Sequence, residues 1–335
     1  MVRRRMSLKF LGALRCLGAF GLLGAIASCT SHTGEAEMEP AAIGFHTHRI
    51  EEVGTRALIS TTDDLRTPGF GVYGDKTVGT SSPQLVFDNI NVSGTPWDYA
   101  PTKYWDRTAA YRFVAYAPWP GSGTSYTSYS SVYKKLTING IPQWQKIDGN
   151  EIDYLVATSA GTATEYLQTP TPNGTVNLEF KHILAQLKVN IAKVSPAANY
   201  IVKGLSFASV PTGTRQCVYD SSNGSLSFSG STDTYGQQNL LLTDANIEVG
   251  TSSTQLAHYL VAPFNLGTDL NLQLSYTLGS SGPKTVPVPL GINKFESNCS
   301  YVFNLRFEAG SNISVSVTEV KNWETSEVTD DVYNW

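Results

Sequence analysis

The feature that most constrains this chain is its punctuation. Short apolar runs alternate with polar residues, and almost every run stops at Gly, Pro, Asn or Ser. A period of two sends successive side chains to opposite faces, so each run reads as a half-buried strand. Gly69-Phe70-Gly71-Val72-Tyr73-Gly74 is one such run; Tyr111-Arg112-Phe113-Val114-Ala115-Tyr116-Ala117, stopped by Pro118 and Pro120, is another. Ile152-Asp153-Tyr154-Leu155-Val156-Ala157 comes after a turn at Asp148-Gly149-Asn150, and Val176-Asn177-Leu178-Glu179-Phe180 leads through a bulge at Lys181-His182 into residues 185–191. The second half repeats the pattern at residues 204–207, 225–228, 258–264, 272–276, 285–290, 301–307 and 313–320. No segment holds a helical period long enough to compete. The expectation is an all-β chain of two sandwiches in series, spanning residues 57–195 and 196–335, with the junction within about ten residues of Ser195-Pro196.

Composition narrows the partners. Charged residues make up 16% and aromatics 11%, which excludes intrinsic disorder. A formal net charge of -4 leaves no basic face for phosphates, so nucleic acid is excluded as a partner.

The first residues carry an address. Arg3, Arg4, Arg5 and Lys9 precede an apolar run at residues 16–27, the charged start and short greasy centre of a secretory signal at residues 1–28. That run is too short to span a bilayer, which takes about 20 residues. It ends Ile26-Ala27-Ser28-Cys29, which resembles a bacterial lipobox and makes Cys29 the expected lipidated first residue; plain secretory cleavage beside an incidental cysteine is the alternative. Residues 30–40 are polar and read as a tether. Cys217 and Cys299 are the two cysteines left that could pair, and the sequence leaves open whether they do.

A search for chemistry finds no CxxC, HExxH, GxSxG or phosphate-binding glycine loop. His46 and His48 share a strand face but lack a third ligand, and His182 and His258 lie within strand-like segments as structural residues. Asp63-Asp64 and Asp330-Asp331 are adjacent acids, poorly placed for shared proton work or calcium, and read as solvated loops. Trp97, Tyr99, Tyr104, Trp105, Tyr116 and Trp119 crowd one stretch, where sugar stacking competes with core filling and core filling is favoured. No active site, cofactor or metal site is expected, and the chain is not read as an enzyme.

Taken in order, several segments resemble the fimbrillin family, the lipoprotein pilins of Bacteroidales type V pili. They are Thr55-Arg56-Ala57-Leu58, Gly71-Val72-Tyr73, residues 97–106 with Tyr104-Trp105-Asp106, residues 111–118, Phe180-Lys181-His182 through Ile191, and residues 313–323. The resemblance implies two transthyretin-like Greek-key sandwiches end to end. It implies a precursor that reaches the outer membrane as a lipoprotein and is cut by an arginine-specific, trypsin-like protease, after which the subunit joins a cell-surface fimbrium. Arg56 matches the cleavage position, leaving Ala57 as the new first residue and discarding residues 29–56, which include the strand-like segment 43–49. Arg49 and Arg66 flank it as competing sites.

Removing a strand from a sandwich opens an apolar groove lined by unpaired backbone groups, costly until another strand fills it. The candidate donor is residues 311–335. Ile313, Val315 and Val317 face one way and Ser314, Ser316 and Thr318 the other, with Val320, Trp323, Val328, Val332 and Trp335 continuing as apolar anchors. Burying four or five such side chains contributes on the order of 8–12 kcal/mol before ordering costs, at about 1.5–3 kcal/mol each. Residues 313–320 read equally well as the last strand of their own second domain. The function implied is a structural pilin that polymerises by donor-strand exchange and supports cell adhesion. Its partners are other pilin subunits, the maturation protease, the outer membrane and a host or bacterial surface ligand. The alternative is a surface-anchored tip adhesin or glycan-binding lipoprotein that uses exposed rings among Trp97, Trp105, Trp119 and Trp144.

Overall fold

The computed structural model describes residues 41–47, 59, 62–120, 126–168, 174–230, 234–241, 245–308 and 312–321. In chain order, β1 (Gly44–Thr47) precedes a short helix α1 (Thr62–Arg66), then β2 (Phe70–Val78), β3 (Gln84–Val92) and β4 (Ala109–Ala117). Next come β5 (Thr127–Ser130), β6 (Lys135–Pro142), β7 (Trp144–Lys146), β8 (Leu155–Thr162), helix α2 (Ala163–Gln168), β9 (Thr175–Leu178) and β10 (Lys181–His182). The second half holds β11 (Ala185–Lys193), β12 (Tyr200–Pro211), β13 (Thr214–Asp220), β14 (Ser225–Gly230), β15 (Tyr235–Leu241), β16 (Ile247–Glu248) and β17 (Thr254–Val261). It closes with β18 (Phe264–Asn265), β19 (Asn271–Leu278), β20 (Lys284–Pro289), β21 (Lys294–Phe295), β22 (Cys299–Phe307) and β23 (Ile313–Lys321). The all-β reading holds, and every strand expected from the alternation has a counterpart.

Three hydrophobic clusters organise these strands. The first lies on one face of the sheet β10-β8-β4-β2-β3, where Phe70, Val72, Phe113 and Ala115 meet Trp105, Tyr166 and the two-stranded sheet β1-β9. The second lies between the sheets β23-β22-β11-β17-β7 and β15-β12-β19-β20, filled by Val189, Phe207, Tyr276, Phe303 and Phe307 among others. The third joins them: the opposite face of β2, β4 and β8 presents Tyr73, Val114, Tyr116 and Val156 to Leu136, Ile138, Cys217 and Tyr219 of the sheet β14-β13-β6-β5. Period-two alternation explains why β2 and β4 can serve two clusters at once. Gly71 is required by that arrangement, since a Cβ there would stand 2.3 Å from the Tyr116 ring.

The strand membership departs from the expected junction at Ser195-Pro196. β11 lies before that point yet sits in the middle of the second core, antiparallel to β17 and parallel to β22. Strands β5 and β6, from the first half, share a sheet with β13 and β14 from the second, and β7 pairs with β17. The described residues from 41 onward belong to one compact unit. Asp63 and Asp64 are also not loop residues: they form the acidic first turn of α1, whose last turn carries Arg66, matching the helix dipole at both ends.

Candidate functional site

The site is the slot occupied by β1. Its sequence alternates, with Ile43, Phe45 and Thr47 buried while Ala42 and His46 are exposed, so one face of the segment enters the first core. One edge of β1 pairs in parallel with β9, in the register Gly44↔Thr175, Phe45↔Val176, His46↔Asn177 and Thr47↔Leu178. The other side of the segment is held as well. The Ile43 amide donates to the Lys103 carbonyl at 2.9 Å, the Trp105 amide donates to the Ala41 carbonyl at 2.9 Å, and Ala42 and Tyr104 form an antiparallel bridge. The Tyr99 hydroxyl adds a bond of 2.7 Å to the Ile43 carbonyl, and burial raises the pKa of that hydroxyl. The segment is therefore clasped on both sides.

Phe45 is the centre of the plug. Its ring stands edge-on to Phe87 at 5.4 Å, Phe113 at 5.6 Å, Tyr99 at 5.7 Å and Phe70 at 6.5 Å. Such edge-to-face contacts add to the area buried. Burying Ile43 and Phe45 together contributes roughly 3–6 kcal/mol at about 1.5–3 kcal/mol each. The Thr47 hydroxyl is buried with no hydrogen-bond partner among the described residues, a small cost carried by the same strand.

The walls of the slot are braced from behind. Trp105 stacks on Tyr166 at 4.8 Å and donates its indole N-H to the Gly174 carbonyl at 3.0 Å, tying the 103–105 wall to the entrance of β9. Gly174 sits at φ 67°, where a Cβ would also come within 2.7 Å of that indole nitrogen. Asp106 fixes the next turn through the Thr108 hydroxyl and amide and through Lys76, and these bonds hold its carboxyl down at about 2.

The candidate donor lies on the far sheet. β23 is an edge strand, antiparallel to β22 in the register Phe307↔Ile313 through Cys299↔Lys321. Ile313 and Val315 are half-buried against the second core, Ser314 and Ser316 are exposed, and Val317 on the apolar face is 36% exposed. In this state the segment is the edge strand of its own chain's sheet. Of the other residues singled out from the sequence, Cys29, Arg56, Ala57, Trp323, Val332 and Trp335, the side chain of Val320, and Arg49 and His48 lie outside the described residues.

Arg66 is described, and it is engaged. Its Nε and Nη1 groups donate to Asp63 Oδ1 and the Gly94 carbonyl, both at 2.8 Å, and its guanidinium lies 4.7 Å from the Trp97 ring. Trp105 is buried, while Trp97, Trp119 and Trp144 are half-buried, each packed against a hydrophobic cluster. Core packing therefore engages all four rings, with Trp97, Trp119 and Trp144 keeping part of their surface accessible. Cys217 and Cys299 are buried in different clusters and are not joined to each other, and burial pushes the Cys217 thiol up to about 12. His182 is buried and bonds Asp153 at 3.0 Å between its Nδ1 and Oδ1; His258 is buried beside Lys188, and burial lowers its pKa to about 4. Sequence reasoning missed Tyr99, Lys103 and Gly174 as parts of the slot, because walls contributed by loops leave no alternation to read.

Comparison with known proteins gives a consistent result. A family model described as fimbrillin-like matches residues 55–323. The fimbrium subunit Fim1C of Phocaeicola vulgatus is 27% identical over 194 residues, covering 52% of this chain and 49% of that protein, so the match spans about half the length of this curated relative. Among solved structures, a fimbrial protein from Bacteroides vulgatus superposes with a TM-score of 0.62 at 18% identity, covering 84% of this chain and 99% of that one. A protein from Bacteroides uniformis superposes at 0.51 with 15% identity, over 84% and 99% of the two chains. At those identities the structural likeness speaks for the fold.

Proposed function

This chain belongs to the fimbrillin-like family, and from that membership we propose that it is a structural pilin of a cell-surface fimbrium, kept assembly-incompetent by its own N-terminal strand. The family is one of fimbrial proteins, a structural class. In the proposed cycle the precursor is exported, lipidated at Cys29 and held at the outer membrane. An arginine-specific protease then cuts at Arg56, ahead of Ala57. The piece lost carries β1, and the vacated slot accepts a strand from residues 311–335 of another subunit, with Ile313, Val315, Val317, Val320, Trp323, Val332 and Trp335 as its anchors.

The observation that carries this reading is the double clasp on β1. A strand that lies ahead of the cut, buries Phe45 among four aromatic rings and is bonded on both sides cannot leave without exposing a groove with unpaired backbone on each wall. Backbone pairing on two sides gives an incoming strand its register, and the aromatic pocket gives it side-chain specificity. The engagement of Arg66 with Asp63, Gly94 and Trp97 supports cleavage upstream of α1. The half-exposed edge position of β23 supports its release, since an edge strand parts from one neighbour only.

Treatment of the purified precursor with a trypsin-like protease is expected to give SDS-resistant ladders, and Arg56→Ala is expected to suppress them. Ladders that form equally from the uncleaved variant, or no ladders after complete removal of residues 29–56, would overturn the assembly mechanism.

A further inference from the structure

We propose that the outer face of the β15-β12-β19-β20 sheet is a binding site for neutral oligosaccharides. The inner face of this sheet belongs to the second core, and on its outer face Ser206, Asn239, Gln273, Ser275 and Thr285 are half-buried or exposed among the described residues. Strand pairing sets Asn239 of β15 and Gln273 of β19 on either side of Ser206 of β12, and the next row sets Ser275 between Gly204 and Thr285. Small residues at Gly204, Ser206 and Ala208 keep the central strand low between the taller amides, leaving a depression of about 260 Å³. A second depression of about 220 Å³ adjoins it and shares Ala208 and Gln273. Two adjoining hollows along one sheet face suit an extended ligand of repeating units better than a single compact one.

The chemistry of the lining selects the class. A primary amide offers two donors and an acceptor in one plane, and a hydroxyl offers both roles, which is the complement of paired sugar hydroxyls. Among the described residues no Lys or Arg lines either hollow, so a phosphate, sulfate or carboxylate would find no charge-assisted bond from them. Among the described residues of the lining, Asp269 in the second hollow is the ionisable one, and it accepts from hydroxyls and repels anions. The polar groups are already held in place: Gln237 Nε2 donates to Asn239 Oδ1 at 2.7 Å, and the Ser275 and Thr285 hydroxyls are 2.6 Å apart. Pre-positioned groups lose less freedom on binding. Tyr235 is 54% exposed on the same strand face as Gln237 and Asn239, and offers a ring at one end of the row.

An ordinary solvated sheet face would explain polar side chains, but such faces usually carry charge. The outward positions of the facing sheet do, with Lys188 on β11 and Arg306 on β22, whereas the two rows described here are neutral and the lysines of this sheet, Lys203 on β12 and Lys284 on β20, stand outside both hollows. The site requires neither cleavage nor polymerisation, so it stands or falls apart from the pilin mechanism.

The test is binding of the intact, uncleaved chain to an array of neutral gluco-, galacto-, manno- and xylo-oligosaccharides printed beside sialylated and sulfated glycans, followed by titration calorimetry with the strongest neutral probe. Binding to neutral probes is expected, weakened about tenfold by Asn239→Ala or Gln273→Ala, the loss of roughly one good hydrogen bond. Ser206→Tyr, which fills the first hollow and leaves the amides in place, should abolish it, and Lys188→Gln on the other sheet should leave it unchanged. No binding to any neutral probe, binding confined to anionic glycans, or affinity indifferent to all three face variants in protein with an unaltered melting temperature would overturn the proposal.

Discussion

Phe45 is the residue at which the precursor and the processed subunit should differ most. Truncation of a fully packed Phe costs about 3–5 kcal/mol, so Phe45→Ala is expected to lower precursor stability by that order in urea unfolding. Because Phe45 lies in the segment proposed to be discarded, the same variant should be indistinguishable from the parent chain after cleavage and assembly. Equal losses before and after processing would show that the segment stays. His258 gives a second residue-scale prediction. Its pKa falls from an ordinary 6.5 to about 4 through burial and the neighbouring Lys188, opposed by Glu151. The unfolded chain therefore binds the proton more readily, so stability is full above about pH 6.5 and is lost as pH falls toward 4. His258→Gln should flatten that slope in melting temperature measured across the interval, and an unchanged slope would assign it elsewhere. At this scale the sequence is only partly legible. Trp105 and Trp119 give the same signal as rings on a binding surface, since aromatic composition does not say which side of a strand a ring occupies.

Strands are the most legible elements, because alternation is local and each apolar run announces its own ends. Their partners are not. β1 pairs in parallel with β9 across more than a hundred residues, and such pairing leaves no turn to mark it. β5 and β6 escape the sequence reading, and their sheet is completed by β13 and β14 from the other half. The donor segment is legible as an alternating strand, while its alternative as the edge of its own sheet is the arrangement seen. Removing residues 312–335 takes away β23 and the half-buried Ile313 and Val315. The expected cost in stability is modest, about 1–3 kcal/mol for partial burial of two aliphatic side chains. Arginine-specific cleavage should proceed as before while ladder formation stops; ladders from the truncated chain would exclude this segment as donor.

At the scale of the whole molecule, length and the Ser195-Pro196 stretch suggest two bodies, yet β11 crosses that division and the third cluster packs both halves together. Burial shared between them couples their stability, so differential scanning calorimetry should find one transition with equal calorimetric and van 't Hoff enthalpies. Two resolved transitions would show that the shared cluster is too weak to couple them. A second brace acts with it, since Arg112 of β4 donates to the Ser221 carbonyl at 2.8 Å across the same boundary.

The mixed sheet β14-β13-β6-β5 also has a mechanical meaning. Strands taken from both halves and laid edge to edge make a splint, so neither half can swivel without shearing a ladder of backbone bonds. A fibre built from such pieces would flex only at its couplings, and its resistance to bending in flowing liquid would be set by how many couplings it has per unit of length.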